Sequence, residues 1–505
     1  RLDPLGADCA LFRRPLAEAA IDQLAEPANV PKPLSVRGFA LEMRAAQRTS
    51  QVVAATTDWG EGRSVVVHDG NGDALATKPA PALPGAPAPP LVVIADLRDD
   101  PAVPGAWAHE ADIGDDQLAL DPERGRVLLG ANLAAQQAAA PYSATFHQGR
   151  ARRFGGGEYE RVPDGETLAL QRTVAGGADW QPALDDLRAA GGRLLVQGSR
   201  AYAQTPALRL DGVTAPGAAG HTLVVAARNG ARPLLAAGGD LLLEIGARGT
   251  LVLDGLVIAG ATLVLPAAAD LEPRTLVLRH CTLLPGRTLL PDGDPATPGA
   301  VSLRIEHPFT RLVIEDSVTG ALLVHADAAL EIVGSMVDAI DPAQVAIAAP
   351  DATGPGPELT GRDSTLVGLV HARLLTLGSN TIFLGSLGAA PPAGWTAPLR
   401  VQRRQQGCVR FSWLPAGAIP PRRHRCASDE DDLALRPQFT SRRFADAAYG
   451  QLTAATPPAI RQGADDDGEM GVLHVLAQPQ REANLRIRLA EYLRFGLQAG
   501  LFYVT

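Results

Sequence analysis

The feature that most constrains this chain is a set of short apolar runs, each closed by a polar or small corner. LVLDGL (251–256), LVLRHC (276–281), LVIEDS (312–317), LEIVGS (330–335), LTGRDS (359–364) and LLTLGS (374–379) begin 25, 36, 18, 29 and 15 residues apart. Uneven gaps with a mean in the twenties describe a coil of fixed cross-section carrying loops of variable length. No such coil can bury its apolar side alone, but each can bury it against the next. Two coils also resemble each other directly, GALLVHADAALEIVGS (320–335) and GLVHARLLTLGS (368–379). The runs are too short and too often broken by glycine for helices. Linkers such as PGRTLLPDGDPATPGA (285–300) cannot supply the helices of a doubly wound sheet. The chain is therefore expected to be mainly β, as a right-handed parallel β-helix. At about 4.8 Å per strand, some ten coils would give a rod on the order of 50 Å.

The entry to this region fits. ADWQPALDDLRAAGG (178–192) reads as an amphipathic helix with Trp180, Leu184 and Leu187 on one stripe and a glycine stop, and RLLVQGSRAYA follows as a first strand. A helix across the open end would protect unpaired strand groups and core side chains. This arrangement resembles the start of pectate-lyase-like solenoids, at the level of fold. Three regions are expected: a small β-rich N-terminal domain (1–153), the β-helix with its capping helix (154–405), and a C-terminal docking segment (406–505). Within the first, KPAPALPGAPAPP (78–90) reads as a spacer and DGNGD (69–73) as a tight turn. Gly155–Gly157 read as a hinge before the rod. Near the end, Leu485, Leu489, Tyr492, Leu493 and Leu497 are spaced for one face of a helix over about 479–498. It is expected to pack on the rod or on a neighbouring chain.

Composition excludes several classes. Hydrophobic residues make up 46% and charged residues 20%, enough to bury a core. The net charge of −9 argues against a nucleic-acid partner. No apolar run approaches 18 residues, so no membrane span is expected. No secretory signal stands at the start, and the chain opens on Arg1 where a Met would begin a complete protein, which reads as a portion of something longer.

No motif demands an enzyme, a cofactor or a metal. The carboxylates nearest to a catalytic grouping are Glu315, Asp316, Asp338 and Asp341. Glu315 and Asp316 are neighbours that would point to opposite faces of a strand. His325 and His371 sit in the matching VHA segments and read as stacked structural residues. Cys408 and Cys426 flank His424, too few donors for zinc, and read as a disulfide or as paired thiols. ADDDGEMG (464–471) alternates Asp465, Asp467 and Glu469 but lacks the later glutamate of an EF-hand, so it reads as a solvated loop. The arginines 403, 404, 410, 422, 423 and 425 precede the acidic run SDEDD (428–432) and are expected to pair with it.

Several longer strings carry a resemblance. DPLGADCALFRRP (3–15), LAEPANVPKPLSVR (24–37), LALDPERGRVLL (118–129), GGGEYER (155–161), VQRRQQGCVRFSWLP (401–415), PRRHRC (421–426), FTSRRFADAAYGQL (439–452) and QPQREANLRIRLAEYLRFGLQAGLFYVT (478–505) resemble a bacterial phage-tail-like family associated with extracellular contractile injection systems. The strings bracket the solenoid and are not catalytic motifs. In that family this stretch usually follows a domain similar to tail protein I of baseplates. The resemblance implies a structural baseplate or appendage component without enzymatic activity, assembled in the cytoplasm into a particle that is then released. Its partners would be other tail or baseplate subunits and further copies of itself. The competing expectation is a tailspike-like protein that binds or cleaves surface polysaccharide. Against it, only Phe309 and Phe383 are aromatic between residues 250 and 384, which leaves few platforms on which a sugar could stack.

Overall fold

The computed structural model describes residues 1–18, 26–48, 56–77, 91–162, 168–213, 215 and 218–498. The Pro/Ala-rich stretch 78–90 lies outside them. The centre of the molecule is a parallel β-solenoid with three faces. Strands Gly192–Val196, Thr222–Ala227, Thr250–Asp254, Arg274–Arg279, Thr310–Glu315, Ala329–Val333 and Gly356–Arg362 stack in parallel on the first face. The second face is a separate 10-stranded sheet running from Ala201–Tyr202 to Ala427–Ser428. The third carries Leu208–Leu210, Leu241–Ile245, Leu263–Leu265, Val301–Ile305, Ala321–Val324 and Val345–Ala348. The long strand Leu369–Ser379 turns the corner between the third face and the first, joining them into one 18-stranded sheet.

The apolar runs fall where their pattern places them. Leu251, Leu276, Leu312, Leu330 and Leu359 are direct register partners on successive coils, and all are buried in the main core. The last run is displaced by one residue. Leu375, not Leu374, continues the column, and a bulge between Leu359 and Thr360 absorbs the difference. A second inward column holds Val225, Leu253, Leu278, Ile314 and Ile332, then Gly361 and Gly378. The ring of Phe383 fills the room left beside Gly378.

The two ends of the stack are closed differently. At the first, the helix Gln181–Leu187 lays Leu184 and Leu187 on the core, with Trp180 buried against Tyr202. At the other, the stack runs beyond residue 405, through Cys408–Arg410 and Arg422–His424, short arginine-bearing strands without a hydrophobic run to announce them. There Arg423 is the register partner of Val409 and takes the inward position. It donates to the carbonyl of Ala418 at 3.2 Å and lies 3.5 Å from Glu430. An exposed charge at the last position of the column disfavours addition of another strand.

The corner between the first and second faces is built the same way on coil after coil. His280, Asp316, Asp363, Asn380, Phe411 and Arg425 all sit in the left-handed region, with φ between 43° and 51°, and Gly255 and Gly334 take the same place on two other coils. Asp, Asn and His tolerate this conformation better than most residues. Just inside follow Cys281, Ser317, Ser335, Ser364, Thr381, Ser412 and Cys426, and the five hydroxyl residues among them are fully buried. Each hydroxyl donates to the carbonyl two residues earlier, at 2.6–2.9 Å. The hydroxyls of Ser317, Ser335, Ser364 and Ser412 also accept the backbone N–H of the preceding coil, from Cys281 (2.9 Å), Ser317 (3.0 Å), Ser335 (3.2 Å) and Thr381 (3.1 Å). The two cysteines end this ladder, their thiols turned to the carbonyls of Leu253 and Val409. Burial pushes the Cys281 thiol up to about 12, so it stays protonated.

The N-terminal part is a separate small core of strands and two helices: Phe39 and Met43 of Val36–Ala46 and Leu133 of the short Ala131–Gln136 belong to it together with Trp59, Val65, Leu118 and Leu120. The predicted turn at 69–73 is present, closed by Asp69 N–H to the Asp73 carbonyl at 2.9 Å.

A buried hydroxyl that serves as both donor and acceptor between coils gives a clear expectation. Ser335→Ala orphans the Ser317 N–H and should lower unfolding stability by about 1–3 kcal/mol. Ser335→Cys, the residue type that ends the ladder, should lose less. Denaturant unfolding of the two variants beside the wild type measures both.

Candidate functional site

The corner line carries the polar side chains that the coils turn outward, and both flanking segments of the chain close over it. Gly155–Gly157 form no hinge. The Gly155 N–H donates to the Asp316 carbonyl at 2.7 Å, and a Cβ on Gly156 would lie 2.5 Å from Val257, so the glycines let a strap approach the coils closely. Arg152 in this strap pairs with Asp316 and donates to the carbonyls of Gly334 and Val472. From the other end of the chain, Phe444, Tyr449, Val472 and Leu473 join Phe154 over the outward side of the second face, on Val257, Val318, Met336 and Val367.

Beneath this cover lies a buried polar pair. The Tyr449 hydroxyl donates to Asp338 at 2.6 Å, and the other Asp338 oxygen accepts the Ile340 N–H at 2.7 Å. Burial pushes the Asp338 carboxyl up, and burial and the neighbouring Asp338 push the Tyr449 phenol up. This pair fixes the C-terminal segment against the rod and does not face an open groove.

Two polar sites lie on the seam. One is an open cleft of about 450 Å³ lined by Arg153, Tyr159, Arg161, Arg279, His280 and Asp316. Its charges are largely balanced: Arg161 lies 3.3 Å from Asp254 and Arg279 lies 3.0 Å from Glu315. His280 meets the Tyr159 hydroxyl at 3.2 Å and is held down to about 4, first by burial and then by the arginines 161, 279 and 152. The other joins the corner residues Asp363 and Asn380 to the loop 464–474. The Asn380 amide donates to Asp363 (2.9 Å) and Asp465 (2.8 Å), and its carbonyl oxygen accepts the Asp465 N–H at 3.1 Å. His474 Nε2 stands 3.8 Å from Asp363 and 3.7 Å from Asp466. The ligand atoms of Asp465, Asp466 and His474 all lie within 4.8 Å of one another. The stretch 464–471 is thus only partly a solvated loop: Asp465, Asp466 and Asp467 are exposed, whereas Glu469 is buried and its carboxyl is pushed up to about 7 by that burial.

The other residues singled out in the sequence are dispersed. Glu315, Asp316 and Asp338 are engaged as above, and Asp341 closes a turn by accepting the Ala343 N–H at 2.9 Å. His325 and His371 are not stacked: His371 is partnered with Arg400, donates to or accepts from no other imidazole, and stands edge-on to Trp395. Cys408 and Cys426 are free thiols. Cys408 shares the outward column of Leu377 and Arg422, whereas Cys426 sits at the corner against the core, so the two do not meet as a disulfide. Of the arginine cluster, Arg423 pairs with the acidic run, Arg410 donates to Ser379, and Arg425 lies over the Phe411 ring.

The C-terminal helix spans Gln478–Tyr492 and does not pack on the rod. Pro479 is its one buried residue, and its first turn is anchored by Glu482 to Arg461 at 3.0 Å. Leu485 is 47% exposed, Tyr492 79% and Leu497, beyond the helix, 60%, while Leu489 and Leu493 are half-buried. Ile487 and Phe495 are exposed as well. The serine ladder, Asn380 and His474 were not expected from sequence. The recurring Asp-Ser and Gly-Ser corners were their one visible trace.

No family model, curated protein or solved structure matches the chain.

His280 predicts a pH dependence. A histidine ordinarily near 6.5 and held at about 4 in the fold takes up its proton in the unfolded chain first. Stability present above pH 6.5 should therefore be lost as pH falls toward 4, by about 1–3 kcal/mol. His280→Asn, which suits the left-handed corner, should flatten that limb of the stability–pH curve.

Proposed function

We propose that this chain is a rigid structural component, baseplate or appendage, of a contractile phage-tail-like particle, assembled in the cytoplasm and carried out of the cell with it. The observation that carries the reading is an amphipathic helix whose apolar residues are left uncovered beside a stack whose second face the chain closes with its own flanking segments. A solenoid whose strands bond from coil to coil resists bending and suits a load-bearing part. Leu485 and Tyr492 on the helix and Leu497 beyond it are exposed and suit burial against a neighbouring subunit. The strings that resemble the injection-system family lie largely in the N-terminal domain, the strap and the C-terminal segment, the parts that close over the seam. The carboxylates that would serve a polysaccharide-cleaving reading are committed to structure: Glu315 to Arg279, Asp316 to Arg152 and Asp338 to Tyr449.

Removing residues 478–498 should leave thermal unfolding nearly unchanged, since Pro479 is the helix's one buried residue, while abolishing incorporation into particles. Electron microscopy of particles purified from the source, with the intact gene, the truncated gene and no gene, reads the outcome. Normal particles in all three cases, with attachment to or degradation of surface polysaccharide lost where the gene is truncated or absent, would favour the tailspike reading.

A further inference from the structure

We propose that Asp363, Asp465, Asp466 and His474 form a binding site for a divalent first-row cation of the Mn²⁺–Zn²⁺ class, which clips the C-terminal segment to the coils. The inference is independent of the particle assignment.

The geometry around His474 carries it. Nδ1 lies 3.0 Å from the carbonyl of Glu469, and a carbonyl can only accept, so Nδ1 carries the proton. In the neutral ring Nε2 is then a bare lone pair, and it faces two carboxylates, Asp363 and Asp466, at 3.8 and 3.7 Å. Three acceptors directed at one another repel unless a positive charge lies between them. Both carboxylates stand at nearly the same distance from Nε2, a spacing suited to donors that share an ion at about 2.0–2.2 Å from each.

Two of the donors, His474 and Asp466, are held from behind. The carbonyl of Glu469 orients the imidazole, and the Gly468 N–H holds Asp466 Oδ1 at 2.8 Å, leaving Oδ2 toward the histidine. Asn380 donates to Oδ1 of Asp465 and to Oδ1 of Asp363, the same oxygen that faces His474, and so ties the two carboxylates together. Outer partners of this kind fix metal-ligand orientation. The local charge differs from that of the rest of the seam. Asp316 and Glu315 have arginine ion-pair partners, whereas the ion-pair distances at Asp363 and Asp466 run to His474, with Arg152 of the strap adding a longer-range attraction to Asp363. One imidazole with several carboxylates favours Mn²⁺ or Zn²⁺ over Ca²⁺ and Mg²⁺, which take oxygen alone. Because Asp363 belongs to a coil and the other three donors to the loop above it, the ion would tie two segments together.

The test uses the full chain freed of metal by chelation and titrated with ZnCl₂, MnCl₂ and CaCl₂ in a calorimeter. Expected are one site per chain for Zn²⁺ or Mn²⁺, weaker Ca²⁺ binding, and slower hydrogen exchange in 464–474 when the ion is bound. His474→Ala and Asp466→Asn should each weaken binding by at least about tenfold, while Asp467→Asn next door should not. Co²⁺ should give a ligand-field spectrum that His474→Ala abolishes. Asp363→Asn, at a corner that accepts Asn, gives the same answer should a loop variant fail to fold. Absence of stoichiometric binding at 100 μM of each cation would overturn the proposal, and so would binding untouched by all three donor variants.

Discussion

Everything in this molecule depends on successive coils keeping phase with one another. In a strand the side chains alternate, so a slip of one residue would turn Leu312 or Leu330 out to solvent and bring charged neighbours such as Arg311 or Glu331 inward. The corner prevents it. A left-handed residue reverses the chain at a fixed point, and the hydroxyl that follows takes a backbone N–H from the coil before, so each floor is indexed to the one beneath. Such hydroxyls cost desolvation and are tolerated because they are satisfied on both sides. The leucine columns supply most of the burial, and the ladder decides which residues receive it.

The same corner faces outward as well, and there it governs how the rest of the chain attaches. The coils present Asp316, Asp363 and Asn380 along one edge; the strap meets the first, and the loop 464–474 meets the other two. The apolar outer side of the second face completes the arrangement, since Val318, Met336 and Val367 would otherwise remain wet. One edge therefore organises the interior by hydrogen bonding and the exterior by charge.

Much of the solenoid was legible because a repeated apolar run has one economical solution, and five of the six runs stack in register as their pattern implies. Leu374 was misplaced by one residue because a bulge leaves no mark in composition. The last coils were missed because strands of two or three residues, with Arg410, Arg422 and Arg423 in them, carry no hydrophobic period. Cys408 and Cys426 looked paired by proximity in sequence, yet the coil sends one outward and the other to the corner. The polar network was harder still. Ser317, Ser335 and Ser364 are separated by 18 and 29 residues, so their bonds become visible only once the coils are in phase. Periodicity did reveal the C-terminal helix, but an apolar stripe states that a partner is needed and not which surface supplies it.

The unequal coil lengths have a consequence for how such a chain can change over generations. Register partners are as few as 14 residues apart at Cys408 and Arg422 and as many as 40 at Leu263 and Leu303, yet the coils stack through both. Extra residues leave the stack as loops, whose closure cost grows only slowly with length. Insertions between faces are thus nearly silent to the architecture, whereas a single added residue inside a strand demands a bulge. Evolution can therefore redecorate the flanks of this rod freely while its height and girth stay the same.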